Sequence, residues 1–479
     1  MTEFTPVALP FVVDLDGTLL RSNLLLETGM AFVRHKPLSL FKPLGWLAKG
    51  KTALKEGLAH ATDIDVSLLP YDPEIIALIK AERSKGRSII LATASHYTLA
   101  KRIADHLQLF DEVLATNAER NLSAHRKRDL LVEHYGEKGF DYAGNSHDDI
   151  PVWAAARHAY VVNPEPGVER RAQKQGNVEQ VIRSNPSGIK DWFKALRLHQ
   201  WMKNTLIFVP LLAAHQITNP LLLWQGLLAF LFFGLCASSV YLLNDLLDLA
   251  DDRHHHSKRN RPFAAGRLSI KSGLIAFPVL LVMAFDGAAL LLPWQFAGVL
   301  VAYYILTLAY SMSLKRYMAI DAIALAMLYT VRIIAGAAAC GLELTFWILA
   351  FSMFIFLSLA LVKRYAELRE ARSKGETEKT RGRGYYPGDL EMISSLGASS
   401  GYLSVMVLAL YIHGQDTTGL YLNPQVIWLA CPLLLFWITR VWMLTYRGEM
   451  HDDPVVFAVR DRVSLIVGVL FCAVFWVAT

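Results

Sequence analysis

Two carboxylates stand two residues apart in Asp14-Leu15-Asp16-Gly17-Thr18, directly after the apolar run LPFVV. In that setting one carboxylate can attack a phosphorus atom, while the other protonates the leaving oxygen and later activates water. Two such charges side by side call for a cation, and Mg²⁺, which prefers oxygen ligands, suits them. A second acidic set lies in SSVYLLNDLLDLADDRHHHSKRNRPFAAG (238–266). Asn244, Asp248 and Asp252 recur every four residues, so on a helix they share one face, with Asp245 beside it. A charged side chain costs roughly 2.5–3.5 kcal/mol at the bilayer centre and less near the interface. Mg²⁺ bridging these carboxylates to a diphosphate would meet that cost. Lys258, Arg259 and Arg261 follow and can neutralise phosphate oxygens. Arg332 falls inside an apolar run, where a charge is expensive and a functional role is the default reading. His254–His256 reads as solvated loop.

The elements that must position these groups differ between the two ends of the chain. LPFVVDLD (9–16), RSIILATAS (87–95), DEVLATN (111–117), GFDYAGN (139–145) and HAYVVN (158–163) read as buried parallel strands. PEIIALIKAERSKG (73–86) reads as an amphipathic helix ending at Gly86. This is a doubly wound α/β pattern, interrupted at 22–72 by helical sequence that would form a small cap over the carboxyl ends of the strands. The expected domains are 1–182, a linker at 183–190, and 191–479. DWFKALRLHQWMKN (191–204) fits either an interfacial helix or a polar start to the first span. Nine apolar segments follow, at 204–216, 220–243, 270–292, 294–311, 320–340, 344–362, 397–413, 424–446 and 462–479, so an all-α membrane domain of about nine transmembrane helices is expected.

Composition supports the split. Residues 1–190 carry 47 charged side chains and the 289 residues after them only 43, so the first part has the charge density of soluble protein. The net charge of +6 comes mainly from the second part, in loops that alternate between basic and uncharged, so no nucleic-acid partner is implied. With Lys194, Arg197 and Lys203, the basic loops hold 23 of the 24 Lys and Arg residues after position 190, which places them in the cytoplasm with the N-terminal domain and leaves the C-terminus outside. The segment MTEFTP lacks the basic region of a secretory signal. Cys236, Cys340, Cys431 and Cys472 all lie in apolar runs without CxxC spacing, which supports neither a disulfide framework nor a zinc site.

Around the first acidic pair, Thr93 follows the second strand, Lys127 opens a helix and GNSHDD (144–149) follows a later strand. Together these resemble the haloacid dehalogenase (HAD) superfamily, mostly phosphatases, over about residues 9–165. The resemblance implies Asp14 as nucleophile and Asp16 as acid/base, with its backbone carbonyl also on Mg²⁺. It implies Thr93 and Lys127 as phosphate binders and Asp149 as support for the metal shell. Asn145 stands where the family usually has a metal-binding Asp; its amide oxygen can still ligate, with one negative charge fewer.

The segment 244–252 resembles the NDxxDxxxD motif of the UbiA superfamily of intramembrane prenyltransferases, over about residues 190–479. RLHQWMKN (197–204), KRNRPFAAG, YSMSLKR (310–316), LVKRYAEL (361–368) and HDDPVVFAVRD (451–461) look like its decaprenyl-phosphate phosphoribosyltransferase branch. That branch joins 5-phosphoribosyl diphosphate to a polyprenyl phosphate and releases diphosphate. The resemblance implies Asp245, Asp248 and Asp252 on Mg²⁺ (or Mn²⁺), with Asn244 assisting, and Arg261, Tyr310 and Lys315 on donor phosphates, beside Lys258 and Arg259. Lys363, Arg364 and Arg332 would take the 5-phosphate or the lipid phosphate, with Lys203 and Glu367 in the same polar set. Ordinary members carry a second acidic motif in the loop after the sixth span, where this chain offers Lys363, Arg364 and Glu367. Asp452 and Asp453 fit either another polar wall or a helix cap beside Pro454. The expected function is phosphoribosyl transfer at the cell membrane in cell wall biosynthesis, with the HAD domain removing the 5-phosphate of the product. Prenyl transfer to an aromatic acceptor and a membrane scaffold or transporter with a degenerate HAD sensor are the competing readings.

Overall fold

The computed structural model describes residues 9–478 except 40, 118–120, 185–187, 256–257, 376, 380–382, 414–420, 422 and 451–452. The chain packs as two compact units, Met1–Leu196 with Tyr241–Phe277, and Arg197–Val240 with Pro278–Thr479.

The first unit is built on a six-stranded parallel sheet in the order β3-β2-β1-β4-β5-β6. The strands are β1 (Phe11–Val13), β2 (Ile89–His96), β3 (Glu112–Thr116), β4 (Asp141–Gly144), β5 (Ala159–Val162) and β6 (Val178–Ile182). Phe11, Val12 and Val13 are fully buried, as expected for a central strand covered on both faces. Five strands lie where the apolar runs place them. The sixth, VEQVI, sits at the sheet edge with exposed Glu179 and Gln180, so it carries no apolar run to announce it. Strand order reverses between β1 and β4, the switch point where ligands bind in such sheets. The cap comprises α1 (Leu24–His35), α2 (Lys42–Ala48) and α3 (Lys51–Ala61). Asn23 caps α1 by accepting from Leu26 N at 3.2 Å. Helix α4 (Pro73–Ser84) starts on Asp72 and stops short of Gly86, whose φ of +78° suits glycine.

Among the described residues, seven helices are long and apolar enough to cross a membrane, with an eighth span if Pro454–Arg460 and Arg462–Ala478, bent by 81°, are one. The expected first segment, 204–216, is instead a 3-10 stretch Leu198–Phe208 followed by the five-residue helix Val209–Ala213. Pro210 sits in the first turn of that helix, where its missing N–H is tolerated. The helix Ile270–Leu291 leaves Ile275, Val279, Val282, Met283 and Leu290 at least half exposed, an apolar outer face suited to lipid and unsuited to water. The four cysteines are free thiols.

Candidate active sites

Strand β1 delivers Asp14 to the switch point, β4 delivers Asn145, and β2 carries Thr93 and Ser95. Helix α5 (His125–Tyr135) brings Lys127, almost wholly buried, with Nζ donating to Asp14 Oδ1 at 2.8 Å and to Tyr142 OH at 2.8 Å. Lys127 also lies 3.4 Å from Asp149 Oδ1. Asp149 is held by the hydroxyl of Tyr142 at 2.7 Å and by Asn145 N, Ser146 N and Ser146 Oγ at 2.9–3.0 Å. Burial would raise the carboxyl of Asp149, but Lys127 and these donors hold it below its ordinary value. Asp14 goes the other way: burial outweighs Lys127 and pushes it to about 7. The carboxylate of Asp16 accepts from Ser95 Oγ at 2.6 Å and from Leu24 N at 2.7 Å. Burial raises its pKa and those two donors oppose the rise.

The first site therefore assembles Asp14, Asp16, Thr93, Lys127, Asn145 and Asp149. Thr93 is fully buried, its Oγ1 accepting from Ser95 N at 3.0 Å. Three participants had no sequence signal strong enough to select them. Ser95 lies two residues past Thr93, Tyr142 reads as an ordinary strand residue, and Lys55 comes from the cap. Lys55 Nζ donates to Ala94 O at 2.6 Å and to Asn121 Oδ1 at 3.2 Å. The amide of Asn145 fills the space over Gly17, where a Cβ would meet Nδ2 at 2.1 Å. Gly17 has φ +77°, so both conformation and contact require glycine. Among the described residues no group of three or more His, Cys, Asp or Glu could hold a metal. The oxygen atoms that could face a cation here are those of Asp14 and of the Asn145 amide, with the Asp16 carbonyl the third that the family resemblance implies. An all-oxygen set of this kind fits Mg²⁺.

The second acidic set also belongs to the first unit. The helix Pro220–Leu247 ends before Asp248 and a short helix, Leu249–His254, begins after it, so the face is not carried by one unbroken helix. The four-residue bonding persists across the break, Asp248 N to Asn244 O at 2.9 Å and Asp252 N to Asp248 O at 2.8 Å, and this keeps the spacing in register. Asp245 and Asp252 are buried, and a single guanidinium nitrogen of Arg261 bridges them at 3.1 and 2.7 Å. A cation between two buried carboxylates is the arrangement that an oxygen-seeking divalent ion would take over, so the residues fit Mg²⁺. Burial raises the carboxyl of Asp252 to about 6, with Arg261 opposing. Lys258 and Arg259 are exposed in the 3-10 turn Lys258–Asn260.

Two further polar clusters lie in the second unit. Asp453, which caps Pro454–Arg460, accepts from Lys203 Nζ at 2.7 Å, Lys363 Nζ at 3.1 Å and Tyr329 OH at 2.9 Å. Asp453 thus serves both as a cap and as a polar centre; Asp452 and His256 lie outside the described residues. Arg332, almost fully buried, donates to Asn204 Oδ1 at 3.1 Å, with its guanidinium carbon 5.2–5.9 Å from the rings of Phe233, Tyr303 and Tyr329. In the other cluster Arg364 is paired with Asp321 and Glu367 and donates to Tyr310 OH at 2.9 Å. Arg383 reaches the same hydroxyl at 2.9 Å and Asp321 at 3.1 Å. Lys363, Arg364 and Glu367 are not in a loop: the helix Phe346–Ser373 runs on through them, because no Gly or Pro intervenes before Gly375. Lys315 lies in the turn Leu314–Arg316.

Residues 205–460 match the UbiA prenyltransferase family and residues 11–153 match haloacid dehalogenase-like hydrolase. The uncharacterized protein y4nM of Sinorhizobium fredii is 39% identical over 98% of this chain and 91% of its own length. Decaprenyl-phosphate phosphoribosyltransferase of Mycobacterium tuberculosis is 31% identical over 63% of this chain and 97% of its own. A solved UbiA homolog from Archaeoglobus fulgidus bound to GPP and Mg²⁺ is 16% identical, covers 60% of this chain and 99% of its own, and has a TM-score of 0.46. The two domain types indicate an enzyme, and the apolar helices a multi-pass membrane protein. The chain belongs to the UbiA prenyltransferase family, with a haloacid dehalogenase-like domain preceding the family's membrane helices.

Proposed function

We propose that this protein transfers 5-phosphoribose from 5-phosphoribosyl diphosphate to a polyprenyl phosphate, and that its HAD domain then removes the 5-phosphate. The observation that carries the transfer reading is that Lys363, in the region where ordinary UbiA enzymes place a second acidic motif, is joined by Lys203 on Asp453. Basic side chains suit a donor or acceptor with a further phosphate. The likeness to decaprenyl-phosphate phosphoribosyltransferases over nearly their full length supports the same reading.

In the transfer, a phosphate oxygen of the lipid attacks the anomeric carbon of ribose, that carbon's bond to diphosphate breaks, and diphosphate leaves. Asp245, Asp248 and Asp252 would hold the divalent ion that neutralises the diphosphate, with Asn244 assisting. Arg261, which bridges Asp245 and Asp252, would with those carboxylates on the ion pair instead with phosphate oxygens. In the hydrolysis, Asp14 attacks phosphorus while Asp16 protonates the ribose oxygen. Water, deprotonated by Asp16, then cleaves the aspartyl-phosphate and releases inorganic phosphate. Lys127 balances the negative charge that gathers on Asp14 and the phosphoryl group. The basic loops, the HAD domain and both reactions are assigned to the cytoplasmic face.

The test supplies purified protein with 5-phosphoribosyl diphosphate, polyprenyl phosphate and Mg²⁺. Wild type should form polyprenyl-phosphoryl ribose and release phosphate, and Asp14→Asn should stop at the 5-phosphorylated lipid with transfer intact. Absence of any lipid-linked sugar overturns the transfer assignment. A wild type that stops at the phosphorylated lipid overturns only the hydrolytic step.

A further inference from the structure

Helix α1 of the cap joins the two acidic sites of the first unit. At its N-terminus, Leu24 N donates to the carboxylate of Asp16 at 2.7 Å. Still in its first turn, Glu27 receives Arg253 at 2.6 and 3.1 Å, both side chains being buried, and Ser22 donates to the same Glu27. Near its C-terminus, Arg34 lies 2.6 Å from Asp248 Oδ1 and 3.2 Å from Asp251 Oδ2. The loop after the aspartate segment is fitted just as closely. Gly266, at φ +68°, lies so near Arg21 that a Cβ would meet its Cβ at 2.7 Å and its carbonyl oxygen at 2.9 Å. Twelve residues of helix span about 18 Å. The segment carrying Asp248 is thus clamped to α1 through a buried ion pair.

Arg34 has no role in the hydrolytic chemistry, and its contact with Asp248 is incomplete: the buried Oδ1 of Asp248 has no hydrogen-bond partner despite the nearby guanidinium. We propose that Arg34 is a diphosphate-binding residue of the aspartate-motif site, supplied by the cap of the HAD domain, so that this domain completes the transferase centre. The inference rests on the assignment of Asp248 to the diphosphate-bound cation. With Asp248 on a cation, the guanidinium would keep only the exposed carboxylate of Asp251, 3.2 Å away, while Glu27 and Arg253 hold its helix in place. The anionic groups then brought within its reach are the oxygens of the diphosphate, which match the planar fork of arginine.

Calorimetric binding of inorganic diphosphate with Mg²⁺ to the intact protein in detergent tests this without relying on turnover. Arg34→Ala should weaken binding roughly tenfold or more, the loss of one hydrogen-bonded charge contact. Arg34→Lys should recover part of it, and Glu27→Gln should weaken binding by loosening the helix that carries Arg34. Hydrolysis of a simple phosphate monoester should be unchanged in Arg34→Ala, which also shows that the domain is folded. Equal or tighter binding by Arg34→Ala overturns the proposal, and tighter binding identifies Arg34 as a latch that competes with the cation for Asp248. If wild type binds no diphosphate, the assignment of the aspartate motif falls, and the role of Arg34 falls with it.

Discussion

Replacing Lys127 by methionine keeps the length of the side chain and removes the cation held between Asp14 and Asp149. In the folded protein its Nζ lies 2.8 Å from one carboxylate and 3.4 Å from the other, with almost no exposure to water. Taking one partner from a buried ion pair costs about 3–5 kcal/mol, because the remaining charge is left uncompensated. Domains are commonly stable by only about 5–15 kcal/mol, so the α/β domain should lose a large part of its margin. At about 2–4 °C per kcal/mol for a domain of this size, its melting should fall by roughly 6–20 °C. Asp149→Asn added to Lys127→Met removes one of the stranded charges and should restore about 1–2 kcal/mol. Pulse proteolysis of the intact protein, with cleavage sites mapped to residues 9–182, measures both effects. Hydrolysis of p-nitrophenyl phosphate should fall about 100- to 1000-fold, the loss typical of removing a donor that stabilises transition-state charge. A single variant that resists proteolysis like wild type, and a double variant no more stable than the single, would show that Lys127 does not compensate these carboxylates.

Asp248→Asn should abolish most phosphoribosyl transfer while leaving the melting profile unchanged, and near-normal product at ordinary Mg²⁺ levels would count against the aspartate motif as the metal site. Asp453→Asn leaves Lys203 and Lys363 facing each other without a carboxylate, so transfer should slow and stability should drop by about 3–5 kcal/mol in chemical denaturation; loss of neither would mean that the three groups are not a unit. Ser95→Ala removes the hydroxyl that holds Asp16 at 2.6 Å, and should lower kcat for monoester hydrolysis several-fold with transfer unaffected; equal loss of both activities would point to a folding defect instead.

What could be read from the sequence was local. The Asp14–Asp16 pair after an apolar strand, the four-residue spacing of Asn244, Asp248 and Asp252, and the apolar runs follow from the rise and period of strands and helices. Neighbouring residues set those quantities. Even the break at Asp248 left that spacing intact, because the backbone bonds at 2.8–2.9 Å continue across it. The edge strand Val178–Ile182 escaped because an exposed strand needs no apolar run, and the 3-10 stretch Leu198–Phe208 escaped because its apolar content matches that of a helix. The partners of the charged groups lay beyond local reading altogether. Asp453 meets Lys203 across 250 positions and Lys127 meets Asp14 across 113, while Glu27 meets Arg253 across 226. No periodicity links such residues. Tertiary packing decides which buried charge finds which counter-charge, since an ionised group taken out of water must be paired wherever the folded chain happens to bring a partner.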